Sequence, residues 1–193
     1  MRERTSVMQF NELSLPGCYE IIPTVFKDNR GLFVKTYHEE IFAAQGLNTS
    51  FREEFYSLSL QGVLRGLHFQ LPPKDLIKMV YAVHGEACDV LVDLRVGSPT
   101  YGEHAICELS AEKANMVYIP SGIAHGFYAR TPQVTMMYKV SAVYSPEHDT
   151  GILWNSLNIP WPDSAPLVSG RDGALPSFAD FESPFRFGGE DCP

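Results

Sequence analysis

The chain has 193 residues, with 15 Lys+Arg against 23 Asp+Glu, a formal net charge of −8 and 45% apolar residues. This is the composition of a folded chain of about one domain, not of a disordered one. The acidic balance excludes a general nucleic-acid binder, because phosphate attraction needs a basic surface. No apolar run approaches the roughly 20 residues that cross a bilayer, so no membrane partner is expected.

The charged start, Met1-Arg2-Glu3-Arg4-Thr5, has no apolar stretch behind it. A secretory signal is therefore not expected, and the setting expected is cytoplasmic. Cys18, Cys88, Cys107 and Cys192 are scattered without CxxC pairing, and Cys88 and Cys107, in apolar strand-like runs, are expected to be reduced core residues. Strand-like runs are predicted at 19–26 and 31–37, followed by a short helix from His38 to Gln45 that stops at Gly46. Further strands are predicted at 53–60 and 63–69. From Met79 to Leu94 two apolar runs are broken at His84-Gly85-Glu86, a hairpin-like pattern. In its second run Asp89, Leu91 and Asp93 share one face, and Cys88, Val90, Val92 and Leu94 the other. Gly97-Ser98-Pro99-Thr100 marks a turn, and strands follow at 104–109, 115–119, 124–129 and 134–143. Beyond about Pro160 an irregular C-terminal arm is expected, its tip from Gly188 to Pro193 disordered. The expected domain spans 1–193, with a core of about 16–175 and a tail of 176–193. Many short strands punctuated by Gly and Pro indicate an all-β sandwich or barrel.

Reactive groups concentrate in two stretches: Arg65-Gly66-Leu67-His68-Phe69-Gln70 with Lys78, and Ile119-Pro120-Ser121-Gly122-Ile123-Ala124-His125-Gly126-Phe127 with Tyr138-Lys139. An Arg, a His and a Lys on adjoining strands would form a local cationic pocket in an acidic protein. Taken alone, His68 and His125 read as core histidines, Tyr138 as a core aromatic in phase with Val134, Met136 and Val140, and Asp172 as a turn residue. Arg65 and His68 are three apart, so a regular strand would point them to opposite faces; a bulge at Gly66 would correct the phase. Pro120-x-Gly122-x-x-His125 resembles the second motif of the cupins, a double-stranded jelly roll. The first cupin motif of metal-binding members carries His-x-His, and here His68 stands alone, so no metal is expected.

Arg65 to Gln70, Ser98-Pro99-Thr100-Tyr101-Gly102, Ile119 to Phe127, Trp154-Asn155 with Trp161-Pro162, and the early Phe26-x-Asp28-x-Arg30-Gly31-x-Phe33 together resemble the dTDP-4-dehydrorhamnose 3,5-epimerase family. The resemblance runs over about residues 16–175. It implies a cofactor-independent, all-β cupin jelly roll with short helical segments, and a homodimer with a shared active site. The substrate implied is a nucleotide-linked 4-keto-6-deoxyhexose, inverted at C3, C5 or both in deoxysugar biosynthesis. By the same resemblance His68 is the base, oriented by Asp172, and Tyr138 is the proton donor on the opposite face of the sugar. Lys78 stands near the ketone oxygen. Arg65, Arg171, His125 and Asp149 contact the ligand, Phe33 and Tyr144 wall it, and Arg30 reaches in from the partner subunit. The chemistry agrees: the ketone acidifies its neighbouring C–H bonds, and a neutral imidazole is available near pH 7 to take the proton.

Two departures mark this chain. Where the family usually carries a glutamate the residue is Lys35, and where it carries Gln-x-Asn the residues are Glu53-Glu54-Phe55. A charge swap preserving a Lys35–Glu53 contact is one reading; altered base recognition, with CDP or GDP in place of dTDP, is the other. A single-centre epimerase or ketoisomerase, a non-catalytic sugar-nucleotide binding module and, least favoured, a metal-dependent cupin oxygenase are the competing functions.

Overall fold

A computed structural model describes residues 8–188; the charged start and all of the glycine-rich tip but Gly188 lie outside them. Two antiparallel sheets form the body. The first, of six strands, contains β1 (Met8–Glu12), β2 (Tyr19–Pro23), β5 (Glu53–Leu60), β7 (Lys78–His84), β10 (Met116–Ile119) and β12 (Gln133–Val140). The second, of five, contains β6 (Leu64–Gln70), β8 (Glu86–Asp93), β9 (His104–Ser110), β11 (Ile123–Ala129) and β13 (Asp149–Gly151). Among the described residues β3 (Val25–Asp28) and β4 (Gly31–Val34) form a separate two-stranded hairpin. The all-β double-sheet architecture expected from the motifs is the one observed.

Strands β7, β8, β10 and β11 are largely buried because their sheets are covered on both faces there. Between them lie Leu15, Val80, Leu91, Leu109, Val117, Phe127, Val134 and Met136. The outer face of the six-stranded sheet packs Met79, Tyr81, Met116 and Tyr118 against the short helix α1 (Glu39–Ala44) through Phe42. Phe42 meets Phe10 edge-on at 5.6 Å, and Gly46, just past the helix, has φ +72° as a helix stop requires. The outer face of the five-stranded sheet packs Leu67, Phe69, Val90 and Val92 against the C-terminal arm. There Phe181 and Phe185 approach the Phe69 ring at 5.1 and 5.6 Å, and the arm exchanges backbone hydrogen bonds with Val96. The arm is irregular, carrying 3-10 turns at Asp172–Ala174 and Phe178–Asp180, yet its aromatics are part of the core.

The predicted hairpin across 79–94 is corrected. β7 pairs with β10 and β12, whereas β8 pairs with β9 and β11 in the other sheet. Gly85, with φ +77°, turns the chain from one sheet into the other, and a Cβ there would run into the Gln133 carbonyl. A glycine between two apolar runs looks the same in sequence whether it makes a hairpin or a corner. The predicted strand 19–26 is likewise interrupted at Thr24, 31–37 ends at Val34, and 134–143 ends at Val140. The turn at 97–100 is pinned by buried Asp93, which accepts from Arg95, Ser98 and Thr100. Burial acts to raise its carboxyl, but these bonds hold it below the ordinary carboxylate range.

Candidate active site

A cavity of about 390 Å³ opens between the two sheets. Its five-stranded wall begins with β6. Arg65 and His68 lie opposite Phe127 and His125, three steps on β6 against two on β11, so β6 carries the bulge expected at Gly66. Gly66 has φ +137°, and a Cβ on it would stand 2.5 Å from Gly126 Cα; a Cβ on Gly126 would stand 2.8 Å from the Arg65 carbonyl. Two glycine backbones in contact thus allow the extra residue, and Arg65 and His68 both line the cavity.

His68 Nε2–H donates to Asp172 Oδ1 at 2.8 Å, which leaves the Nδ1 lone pair for a substrate. Asp172 is buried; its second oxygen accepts from the Gly66 amide at 3.2 Å, and its own amide donates to Ser169 Oγ at 3.1 Å. Burial opposes its ionisation, but the bonds from His68, Gly66 and Ser169 prevail and hold the carboxyl below its ordinary value. The arm brings this residue about a hundred positions along the chain back under the bulge.

The six-stranded wall supplies Tyr138 from β12, Lys78 from β7, and Glu53, Phe55 and Ser57 from β5. Tyr138 is buried, and that burial pushes its phenol well above the usual range. Its hydroxyl meets Ser57 Oγ at 3.4 Å, and its ring lies against Phe55 at 4.8 Å and 12°. Lys78 Nζ donates to the His68 carbonyl at 2.9 Å. Burial lowers its pKa to about 8, although Asp149 and Asp89 act to raise it. His125 Nε2–H donates to Asp89 Oδ2 at 2.7 Å, a fully buried pair edge-on to Tyr138 at 6.2 Å between ring centres. Burial raises the Asp89 carboxyl, against the opposing pull of His125 and Lys78.

At the mouth Arg65 donates to Ser59 Oγ at 2.9 Å, and Arg171 pairs with Asp149 at 2.8 Å. Glu53 Oε2 accepts from the Tyr144 amide at 2.7 Å, so Tyr144 is held beside the opening. Among the described residues no ion pair joins Glu53 to Lys35 within the chain. The structure therefore brings His68, Asp172, Tyr138, Lys78, Glu53, Phe55, Arg65, His125, Tyr144, Asp149 and Arg171 together. Arg30, Phe33 and Lys35 stand apart, the first two on the self-paired hairpin and Lys35 just after it, with Arg30 exposed and bonded to Asp28.

Three polar residues of the site were missed in the sequence. Asp89, an acid inside the apolar run Cys88 to Val92, was legible as a buried charge needing a partner, but the partner lies on β11, whose pairing no local pattern reveals. Ser57 gave no signal. Gln70 lines the cavity and ties down two loops, donating to the Lys74 carbonyl and accepting from the Ser145 amide, both at 2.7 Å.

The family model of dTDP-4-dehydrorhamnose 3,5-epimerase matches residues 12–180. The dTDP-4-dehydrorhamnose 3,5-epimerase of Pseudomonas aeruginosa is 41% identical over 177 residues, covering 90% of this chain and 97% of that one. A crystal structure from Legionella pneumophila, in complex with dTDP-4-keto-L-rhamnose, matches with a TM-score of 0.89 at 31% identity, covering 94% and 99%. A 3'-monoepimerase from Streptomyces bikiniensis, in complex with dTDP-quinovose, matches with a TM-score of 0.82 at 32% identity, covering 88% and 87%. Motifs, double-sheet fold and matches over nearly the whole length agree: the chain belongs to the dTDP-4-dehydrorhamnose 3,5-epimerase family of isomerases.

Proposed function

We propose that this chain epimerises a dTDP-linked 4-keto-6-deoxyhexose by exchanging protons between His68 and Tyr138 across the inter-sheet cavity. One observation carries the reading: a histidine held by a carboxylate on one sheet faces a tyrosine on the other, inside a single cavity. A sugar lying between the sheets is reached from both of its faces. His68 Nδ1 takes the proton from the carbon beside the ketone, and the C–H electron pair becomes the enolate π-bond as the ketone oxygen gains the negative charge. Lys78, beside His68, offers an ammonium to that oxygen, an electrostatic contact of about 3 kcal/mol. Tyr138 then gives its hydroxyl proton to the same carbon from the opposite side, which inverts it. The imidazolium returns its proton to solvent and the phenolate recovers one, restoring both groups. Each of these acid–base roles contributes roughly 10²–10⁴-fold.

Arg65 and Arg171 line the same cavity and suit the pyrophosphate, with its charge held by planar guanidinium donors. Arg30, Phe33 and Lys35 complete the site from a second subunit. The β5 edge supports a homodimer: eight residues long, among the described residues it has no partner strand on its outer side, and it exposes Tyr56, Leu58 and Leu60, a surface that soluble proteins cover. Leu32 and Phe33 on the hairpin are exposed as well. The dTDP moiety is favoured because the ligand-bound relatives hold dTDP-sugars, and the setting is cytoplasmic. Among the described residues no helix is long and apolar enough to cross a membrane.

The 3'-monoepimerase relative favours a second reading, inversion at C3 alone. Incubation in D₂O with 4-keto-6-deoxyglucose linked to dTDP, CDP or GDP separates the possibilities. The expected result is solvent deuterium at C3 and C5 of the dTDP sugar with inverted product. Label at C3 only establishes the second reading, and no label with any nucleotide contradicts both.

A further inference from the structure

The pairing of β5 with β12 sets Phe55 directly opposite Tyr138, the arrangement in which cross-strand side chains touch. Their rings are nearly parallel, 12° apart with centres at 4.8 Å. Tyr138 also lies opposite Val80 on β7 and within the inter-sheet core, but its hydroxyl and other ring contacts are looser. Its hydroxyl meets Ser57 Oγ at 3.4 Å, the outer limit of a hydrogen bond, and the His125 ring is 6.2 Å away. The Phe55 face is thus the flat aromatic contact of the Tyr138 ring, and part of what buries it. Phe55 lies on the edge strand and also lines the cavity, so the stack forms one wall of the space a sugar would enter. A benzyl side chain can neither give nor take a proton; whatever it does for the reaction beyond contact with the ligand passes through Tyr138.

We propose that Phe55 is a positioning residue: its stack holds the Tyr138 ring so that an enolate formed by His68 is reprotonated on the inverting face. The inference rests on the epimerase reading and specifies its second half. Proton abstraction belongs to His68, and capture on the far face belongs to a correctly aimed phenol. When the stack is lost, the enolate is returned more often to the face it came from. Solvent deuterium is then still incorporated, but the carbon keeps its configuration. Misplacing a reacting group by about 1 Å can cost on the order of 10²-fold in rate, so partial loosening is expected to lower the ratio of inversion to exchange by about tenfold.

The test compares F55A, F55L and F55Y with the unsubstituted chain at saturating dTDP-4-keto-6-deoxyglucose in D₂O, reading deuterium incorporation and inversion at C3 and C5 separately. F55L keeps apolar volume on the strand without a ring, which separates positioning from folding; F55Y restores the ring. In parallel, ¹³C-labelled tyrosine, with the Tyr138 signal identified in Y138F, reports how fast the Tyr138 ring flips. The expected result is a lower ratio and a faster ring in F55A and F55L, both restored in F55Y. A ratio unchanged in F55L, a ring as immobile as before, or a loss that F55Y does not restore overturns the proposal. If the unsubstituted chain incorporates no deuterium, the epimerase reading itself fails, and the ring-flip comparison still decides whether Phe55 holds Tyr138.

Discussion

At Lys78 the same burial that sharpens a charge also threatens it. Desolvation lowers its pKa to about 8, with Asp149 and Asp89 acting the other way. The ammonium is present below about pH 8 and is lost as pH rises through that value, so enolate stabilisation is lost in the same direction. The rate kcat/KM of the free enzyme, measured between about pH 6 and 10, is expected to fall along a limb near pH 8. In Lys78→Arg the guanidinium stays charged throughout, so the limb moves to higher pH even though the maximal rate drops. A limb that stays in place in Lys78→Arg contradicts this assignment. Most of the residues that meet in the cavity were legible from motifs before any geometry, and their types suited the chemistry. The partners of Asp89 and Ser57 were not, because each acts through a neighbour on another strand, His125 for the first and Tyr138 for the second.

The element that does most for the site is the bulge in β6. It turns residues three apart toward the same cavity, and it exists because Gly66 and Gly126 approach where neither could carry a Cβ. Gly66→Ala is expected to destabilise the chain by roughly 2 kcal/mol or more, from the positive φ and the collision combined. It should also lower kcat, since His68 and its bond to Asp172 move with the strand. Urea unfolding and steady-state rates on the same preparation check both effects; a neutral substitution would mean that the bulge forms without a glycine. The bulge was readable in sequence because phase and glycine pointed to the same residue. The corner at Gly85 was not, since local periodicity gives a strand's faces but not its sheet. β7 and β8 are alike in being largely buried on both faces; what separates them is pairing with β10 and β12 or with β9 and β11.

For the whole molecule, α1 covers the outer side of one sheet and the arm that of the other, while among the described residues the β3–β4 hairpin forms a sheet of its own. The arm illustrates how composition misleads. Its Pro, Gly and Ser content reads as irregular, and it is, but Phe181 and Phe185 place it in the core, and Asp172 completes the dyad. If the hairpin serves the partner's cavity, mixing two inactive variants restores a functional site. Arg30→Ala and His68→Ala, combined in equal amounts and allowed to exchange subunits, should recover about a quarter of the unsubstituted activity, because half the dimers are mixed and each holds one intact site. Recovery near zero after demonstrated subunit exchange would place Arg30 in its own chain's site.

The division of labour between the two walls is tested most directly by following the sugar's protons in D₂O with His68→Ala and Tyr138→Phe side by side. The account predicts that His68→Ala incorporates no deuterium at C3 or C5, whereas Tyr138→Phe still incorporates deuterium at the carbon His68 reaches but forms little inverted product. Exchange that survives the loss of His68, or inversion undiminished by the loss of the Tyr138 hydroxyl, would contradict it.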